Sequence, residues 1–369
     1  LLNRSIISKE LINGAVFGCQ AAEPLQPAPR KKALLRLLFG FIWLKKRLKK
    51  EVPYEMKLEE RIHPELRQAF AMMPAGGDLF ADIETARKMT RDMFAMMQQA
   101  ADPNIPISEI SIPGEDGNQV PLRIYRPAER KGSLPGLLWI HGGGYVFGFA
   151  AMFDDLCRQF VREVNCVVVS VDYRLAPEHP FPAGLNDCYA ALKWMAAADN
   201  GLDIDATRIA VAGGSAGGGL TAAVALLARD KGGPAIKLQM PLYPMIDDRN
   251  VAPSSYEFTD ARLWNRETNI KAWQLYLGDK GGEVSPYAAP ARAEDLSGLP
   301  PTYTIVGELD LFRDETIDYV QRLLQAGVAT EFHIYPGCYH GFESVPGTKI
   351  GKKVIDGYIS ALKEAFALP

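Results

Sequence analysis

The stretch Arg208-Ile-Ala-Val-Ala-Gly213-Gly214-Ser215-Ala216-Gly217-Gly218-Gly219 carries the decisive pattern of this chain. A short apolar run of strand type, Ile209 to Ala212, meets a glycine-rich corner, and a small-residue helix from Leu220 to Arg229 follows until Gly232-Gly233 ends it. Read as G-x-S-x-G, the corner is Gly213-x-Ser215-x-Gly217. In that motif the strand turns into the helix so abruptly that the serine takes a strained backbone conformation, and glycines flank it because Cβ atoms would clash. The hydroxyl then stands at the top of a sheet and at the N-terminus of a helix, where developing negative charge is favoured. By itself the pattern also fits an ordinary glycine-rich turn, so its meaning depends on what the other strand ends carry.

Working outward, strand-type runs appear on both sides. Ser108–Ile112 and Val120–Tyr125 alternate as a hairpin, with a turn at Gly114-Glu-Asp-Gly117. Continuous apolar runs follow at Gly136–Ile140, Cys166–Val171, Ile209–Ala212, Thr302–Val306 and Glu331–Tyr335, separated by helical segments. Apolar strands alternating with helices predict an α/β fold with a mainly parallel sheet, covered on both faces. Residues 253–298 interrupt the pattern and read as an insertion, with Trp264, Trp273, Tyr276 and a helix from Arg266 to Leu277.

In an open parallel sheet the reactive groups gather in loops beyond the carboxyl ends of the strands. The first such loop is His141-Gly142-Gly143-Gly144-Tyr145. Consecutive glycines expose backbone N–H groups with no side chain to block the approach, which suits donors aimed at an oxygen that becomes an oxyanion. His141 is expected to brace this loop. The second is Gly307-Glu308-Leu309-Asp310, where Asp310 is the favoured acid to orient an imidazole and Glu308 the main competitor. Asp314 and Glu315 fall on the next helix and read as caps or surface pairs. The third is Pro336-Gly-Cys-Tyr339-His340-Gly341-Phe342, which offers His340 as general base. His63, His179 and His333 fit structural roles better.

The chain has 369 residues, a net charge of −3 and 47% hydrophobic residues, so nothing in its overall balance points to nucleic acid. The charge is uneven. Residues 1–50 hold eleven Lys/Arg and two Asp/Glu, against 30 and 42 in the remainder. Five cysteines (Cys19, Cys157, Cys166, Cys188 and Cys338) show no C-x-x-C or Cys/His ligand spacing. That speaks for a reducing, cytoplasmic setting and against a disulfide framework or a metal; no cofactor is expected.

Residues 1–55 form a basic extension with a proline-rich linker at Glu23–Pro29. Three readings compete: an export signal around Leu11–Cys19, a membrane-surface helix, and the favoured one, a non-native or accessory tail. Ala33–Leu44 is too short to span a bilayer, but residues 31–50 suit contact with lipid phosphates. Residues 56–104 are helical in pattern and read as an N-terminal cap. One helix starts at His63–Phe70; another, from about Asp82 to Ala100, carries Ile83, Ala86, Met89, Met93, Phe94 and Met97 on one stripe. Six of the eleven methionines lie between Met72 and Met97. They are expected to fill the interface between helix and body, the alternative being an adaptable wall for apolar ligands. Residues 105–369 are then the catalytic domain, with a cap insertion at about 253–298.

Five pieces together resemble the hormone-sensitive-lipase-like family of α/β-hydrolases, the bacterial family IV carboxylesterases. They are His141–Gly144, Asp172-Tyr-Arg-Leu-Ala-Pro-Glu178, Gly213–Gly218, Asp310–Glu315 and His340–Phe342. The chain order Ser215, Asp310, His340 is that of α/β-hydrolases. The resemblance covers roughly residues 57–369 and implies the α/β-hydrolase fold with a helical cap. It implies Ser215 as nucleophile, His340 as base, Asp310 as orienting acid, and the N–H groups of Gly143, Gly144 and Ala216 as oxyanion donors. It implies a scaffold role for Asp172–Glu178 with Arg174 and Glu178 paired, hydrolysis of short- to medium-chain carboxylic esters, and a homodimer through an edge strand. Tyr145 and the methionine-rich helix are expected to bound the acyl pocket. The same triad would serve an amidase or lactonase, and a ligand-binding receptor on this fold would lack the histidine that is present here. One departure stands out: the family carries Asp or Thr between the first glycine and the serine, where this chain has Gly214.

Overall fold

The computed structural model describes residues 57–74, 76–97, 102–129, 131–278 and 282–367. The expectations for residues 1–55 lie outside the described residues. Lys57–Pro369 forms one compact unit.

The chain enters through α1 (Leu58–Arg61), a 3₁₀ turn at Pro64–Leu66, α2 (Arg67–Met72) and α3 (Ile83–Met97). The body then runs β1 (Ile107–Pro113), β2 (Gln119–Tyr125), β3 (Leu134–Ile140), α4 (Asp154–Val164), β4 (Val167–Val171), α5 (Ala183–Ala196), β5 (Ile204–Gly214) and α6 (Ala216–Lys231). It continues with β6 (Leu238–Leu242), α7 (Pro253–Glu257), α8 (Arg266–Leu277), β7 (Thr302–Leu309), α9 (Arg313–Gln325), β8 (Thr330–Tyr339) and α10 (Lys349–Ala367). Among the described residues the strands form one eight-stranded sheet in the order β1-β2-β4-β3-β5-β6-β7-β8. Only β1–β2 and β2–β4 are antiparallel; the other pairings are parallel.

Every residue of β3, β4 and β6 is buried, because helices cover both faces of the sheet. Helices α5 and α6 pack on one another, as do α4 and α10. The central strands carry the apolar runs seen in the sequence, and their carboxyl ends lie together: Ile140 of β3 is level with Gly213 of β5, and Gly214 with Leu242 of β6.

Strand β6 did not stand out in the sequence, since Gln239 and Pro241 break its apolar run. The structure anchors the Gln239 amide nitrogen on Thr302, whose Oγ1 accepts from Nε2 at 3.0 Å. Strand β8 is longer than expected and runs past Pro336-Gly337 to Tyr339. The ladder slips between Gly307 and Leu309, so that Leu309 pairs with Tyr339. A proline and a glycine at positive φ are tolerated there because the strand lies at the sheet edge and bulges.

The methionine stripe is corrected. Met89 is 66% exposed and Met93 51%, so the described methionines of α3 face solvent and do not fill the interface. The helix is held instead by Arg87 and by Phe94, whose ring meets Phe149 edge-on at 6.0 Å.

Candidate active site

The corner between β5 and α6 holds Ser215 at φ 59°, ψ −122°, a strained conformation for a residue with a side chain. Three backbone bonds hold it there. Ser215 N donates to Leu242 O at 3.0 Å, while its own carbonyl accepts from Gly219 N at 2.9 Å and Met245 N at 3.0 Å. The glycines are needed for close approach. A Cβ at Gly213 would stand 2.5 Å from the Ile140 carbonyl oxygen, and one at Gly217 would collide with that same carbonyl. The β5–α6 corner can therefore press directly on the end of β3.

Ser215 Oγ donates to His340 Nε2 at 3.0 Å, and His340 Nδ1 donates to Asp310 Oδ2 at 2.8 Å. Asp310 follows β7, is 1% exposed, and accepts from Phe312 N through its other oxygen at 2.9 Å. The three expected residues are thus in one hydrogen-bonded line, although they are far apart in sequence. Burial works against the imidazolium of His340. The charge and hydrogen bond of Asp310, with the charge of Glu343 behind them, outweigh burial and raise the ring above the ordinary histidine value.

The competitor Glu308 is used elsewhere. Its Oε2 accepts from Gly337 N at 2.9 Å, which satisfies the bulge in β8, and its Oε1 faces Arg61 at 3.3 Å. Asp314 accepts from Ser254 N at 2.8 Å and so holds the start of α7. Glu315, expected as a cap or surface pair, is 4% exposed; its Oε1 accepts from Ile246 N at 3.0 Å, and burial pushes its carboxyl well above the usual range.

The loop after β3 turns tightly, since Gly143 O accepts from both Val146 N at 3.1 Å and Phe147 N at 2.7 Å. Among the described residues, the N–H groups of Gly143, Gly144 and Ala216 donate to no carbonyl or side chain, as unspent oxyanion donors would. His141 braces the loop. It is fully buried, stacks on Tyr173 at 4.2 Å and donates from Nδ1 to Gly142 O at 2.8 Å. Burial holds its ring below the ordinary histidine value, against the pull of the Asp172 charge.

Two further expectations are corrected. Tyr145 does not bound a pocket with its ring. The side chain is 1% exposed, stacks on Tyr276 at 3.9 Å, and donates to Met245 O at 2.6 Å, because the φ of 64° at this residue turns it into the core. Arg174 and Glu178 do not pair. Arg174 Nε donates to Asp187 Oδ2 at 2.9 Å and Arg174 Nη2 to Asp116 Oδ2 at 2.7 Å, while Glu178 is gripped by Arg87. Spacing of four residues brings side chains together only on a helix, and this segment is not helical.

The structure also brings to the site residues that the sequence did not assign to it. Trp264, from the insertion after β6, lies against the donor loop: a Cβ at Gly144 would come within 2.6 Å of its Cζ2. Phe80, from the segment between α2 and α3, meets Trp264 at 6.5 Å and Phe147 at 5.3 Å. Tyr243 and Phe312 flank the His340 ring at 5.0 and 5.2 Å. Tyr243 gave no signal because the strand before it was hidden, whereas Phe312 lies two residues past Asp310 in a loop already singled out.

Residues 137–344 match the family model described as alpha/beta hydrolase fold. The chain belongs to that family. This hydrolase is 37% identical over 293 residues to Esterase LipI of Mycobacterium tuberculosis, spanning 78% of this chain and 89% of that one. It is 33% identical over 264 residues to the Ethyl acetate hydrolase of Pseudomonas putida, across 71% and 83% of the two chains. Among solved structures, the hydrolase resembles a Bacterial Heroin Esterase with a TM-score of 0.80 and 41% identity, over 85% of this chain and all (100%) of that one. The resemblance to bacterial esterases of the hormone-sensitive-lipase-like branch is borne out.

Proposed function

We propose that this carboxylic ester hydrolase works through an acyl-enzyme on Ser215, with His340 as general base and acid and Asp310 as the orienting carboxylate. The single observation that carries the roles is the line Asp310–His340–Ser215, at 2.8 and 3.0 Å. The ester carbonyl oxygen lodges among the N–H groups of Gly143, Gly144 and Ala216. Ser215 Oγ attacks the carbonyl carbon as its proton passes to His340 Nε2. The alcohol leaves with that proton, and water, deprotonated by His340, releases the carboxylic acid and restores the serine. Removing one oxyanion donor would cost about 10²–10³ in turnover.

The substrate is a small ester with a short to medium acyl chain. Trp264 against the donor loop supports that limit, and the ester substrates in the names of relatives, such as ethyl acetate, agree with it. We read Phe80 and Trp264 as contributions of the N-terminal segment and the 253–298 insertion to one cap over the site. The buried free cysteines Cys157, Cys166, Cys188 and Cys338 support a cytoplasmic setting. Among the described residues no helix is long and apolar enough to cross a membrane. The proposal includes surface contact with a membrane through residues 31–50 and a homodimer through an edge strand of the sheet.

The test is hydrolysis of p-nitrophenyl esters of graded chain length by the wild type and Ser215→Ala. Turnover of short esters that disappears in the variant supports the roles; unchanged turnover sinks them.

A further inference from the structure

Gly214 is where this chain departs from the family pattern, and the structure shows what stands there instead. A Cβ at Gly214 would come within 2.6 Å of the Tyr243 hydroxyl oxygen and 2.9 Å of its Cζ. The phenol ring thus occupies the room that a side chain at residue 214 would claim. Tyr243 follows β6 at φ 32°, an uncommon value for a residue with a side chain, and its N–H donates to Ile305 O at 2.8 Å. Its hydroxyl donates to Glu343 Oε1. Glu343 stands three residues after His340, in the 3₁₀ turn Phe342–Ser344. Its second oxygen is buried and, among the described residues, has no hydrogen-bond partner.

We infer that Tyr243 and Glu343 form a positioning pair for the His340 imidazole, seated in the space that Gly214 leaves open. The inference rests on His340 being the base. Tyr243 meets the imidazole edge-on at 5.0 Å and 80°, and Phe312 meets it at 5.2 Å and 73°. Between these two rings the imidazole has little freedom to turn away from Ser215. Tyr243 is itself kept from turning by its bond to Glu343. The pair also acts through charge. When His340 takes the serine proton it becomes an imidazolium, and a carboxylate held close by stabilises it without touching it.

The titratable groups around the ring are Asp310 from the end of β7, Tyr243 from the end of β6 and Glu343 from the turn after β8. Tyr358 of α10 lies near Tyr243 and Glu343. Burial holds the Glu343 carboxyl above the ordinary value, and the Tyr243 hydrogen bond offsets part of that push by favouring the charged form. Loss of either partner therefore removes negative charge near the imidazole and lowers its proton affinity.

The experiment measures p-nitrophenyl acetate hydrolysis across pH for Glu343→Gln and Tyr243→Phe. Both variants are expected to keep KM within about twofold and to lose about tenfold in kcat, since a base only slightly displaced already loses rate. In both, the acid limb of kcat/KM should move down by about half a pH unit, less than a directly contacting charge would cause. An acid limb that stays at its wild-type midpoint in either variant overturns the pair, even if stability falls. Gly214→Thr, made in the wild type and in Tyr243→Ala, tests the seat: it should reduce kcat in the first and add nothing in the second. An equal loss in both backgrounds overturns it. Ser215→Ala and His340→Ala test the underlying reading separately, because turnover that survives them removes His340 as the base whatever the pH profiles show.

Discussion

Arg87 of α3 grips Glu178 with both terminal nitrogens, at 2.8 and 3.0 Å. The same guanidinium donates to Ala176 O at 2.6 Å and Val146 O at 2.8 Å. One side chain thus fastens helix α3 to the loop after β3 and to the segment Asp172–Glu178. The carboxylate is 54% exposed, so the ion pair alone contributes little; the carbonyl bonds add to it. Arg87→Ala should cost about 1–2 kcal/mol of stability. It should speed proteolytic cleavage within α3 and raise KM more than it lowers kcat. Arg87→Lys keeps the charge but loses the fork, and should recover only part of the effect.

The assignment of the orienting acid follows from which carboxylate reaches the imidazole. Asp310→Asn should lower kcat by about 10⁴-fold with little change in KM, because the histidine is left in the wrong tautomer. Glu308→Gln should leave kcat within a few-fold and instead lower the melting temperature, since Glu308 satisfies the Gly337 N–H and faces Arg61. Steady-state kinetics beside thermal unfolding separates the two.

The rate should depend on pH through His340. Its imidazole is held above the ordinary value of about 6.5. The base must be neutral, so kcat/KM should fall as the medium is acidified, with a midpoint above that value. Stability follows the opposite sense. The folded protein binds the His340 proton more tightly than the unfolded chain, so this contribution is complete below about 6.5 and is lost as pH rises through the raised folded value. Unfolding curves and a pH–rate profile on the same preparation check both signs.

Chain length should depend on Trp264. Its indole rests on Gly144, and its Nε1 donates to Asn269 Oδ1 at 3.0 Å, which fixes the ring. Trp264→Ala should raise kcat/KM for octanoate relative to acetate esters by about tenfold, in line with the worth of one or two methylenes in an apolar pocket. Competition between the two p-nitrophenyl esters measures the ratio.

Much of the site was legible from short patterns. Gly213–Gly217, the glycine run after His141 and the loop around His340 encode local backbone constraints, and such constraints survive in sequence because only a few residue types meet them. Where side chains travel was harder to see. Arg174 has a glutamate four residues away and an aspartate thirteen away, and it takes the aspartate because helix α5 brings Asp187 back over the loop. Tyr145 reads as a pocket wall but turns inward at positive φ. The methionines of α3 suit a packed stripe, yet the polar Arg87 does the anchoring.

By itself the sequence determined the alternation of strands and helices, the strained serine corner, and the three loops past strand ends that carry Ser215, Asp310 and His340. Those features follow from local sterics and from the burial of a parallel sheet. Tertiary structure alone decided which carboxylate reaches the imidazole, that Trp264 covers the donor loop, and that Tyr243 fills the space beside Gly214. Each of these depends on the register of neighbouring strands and on chain segments meeting from far apart, which no local pattern records.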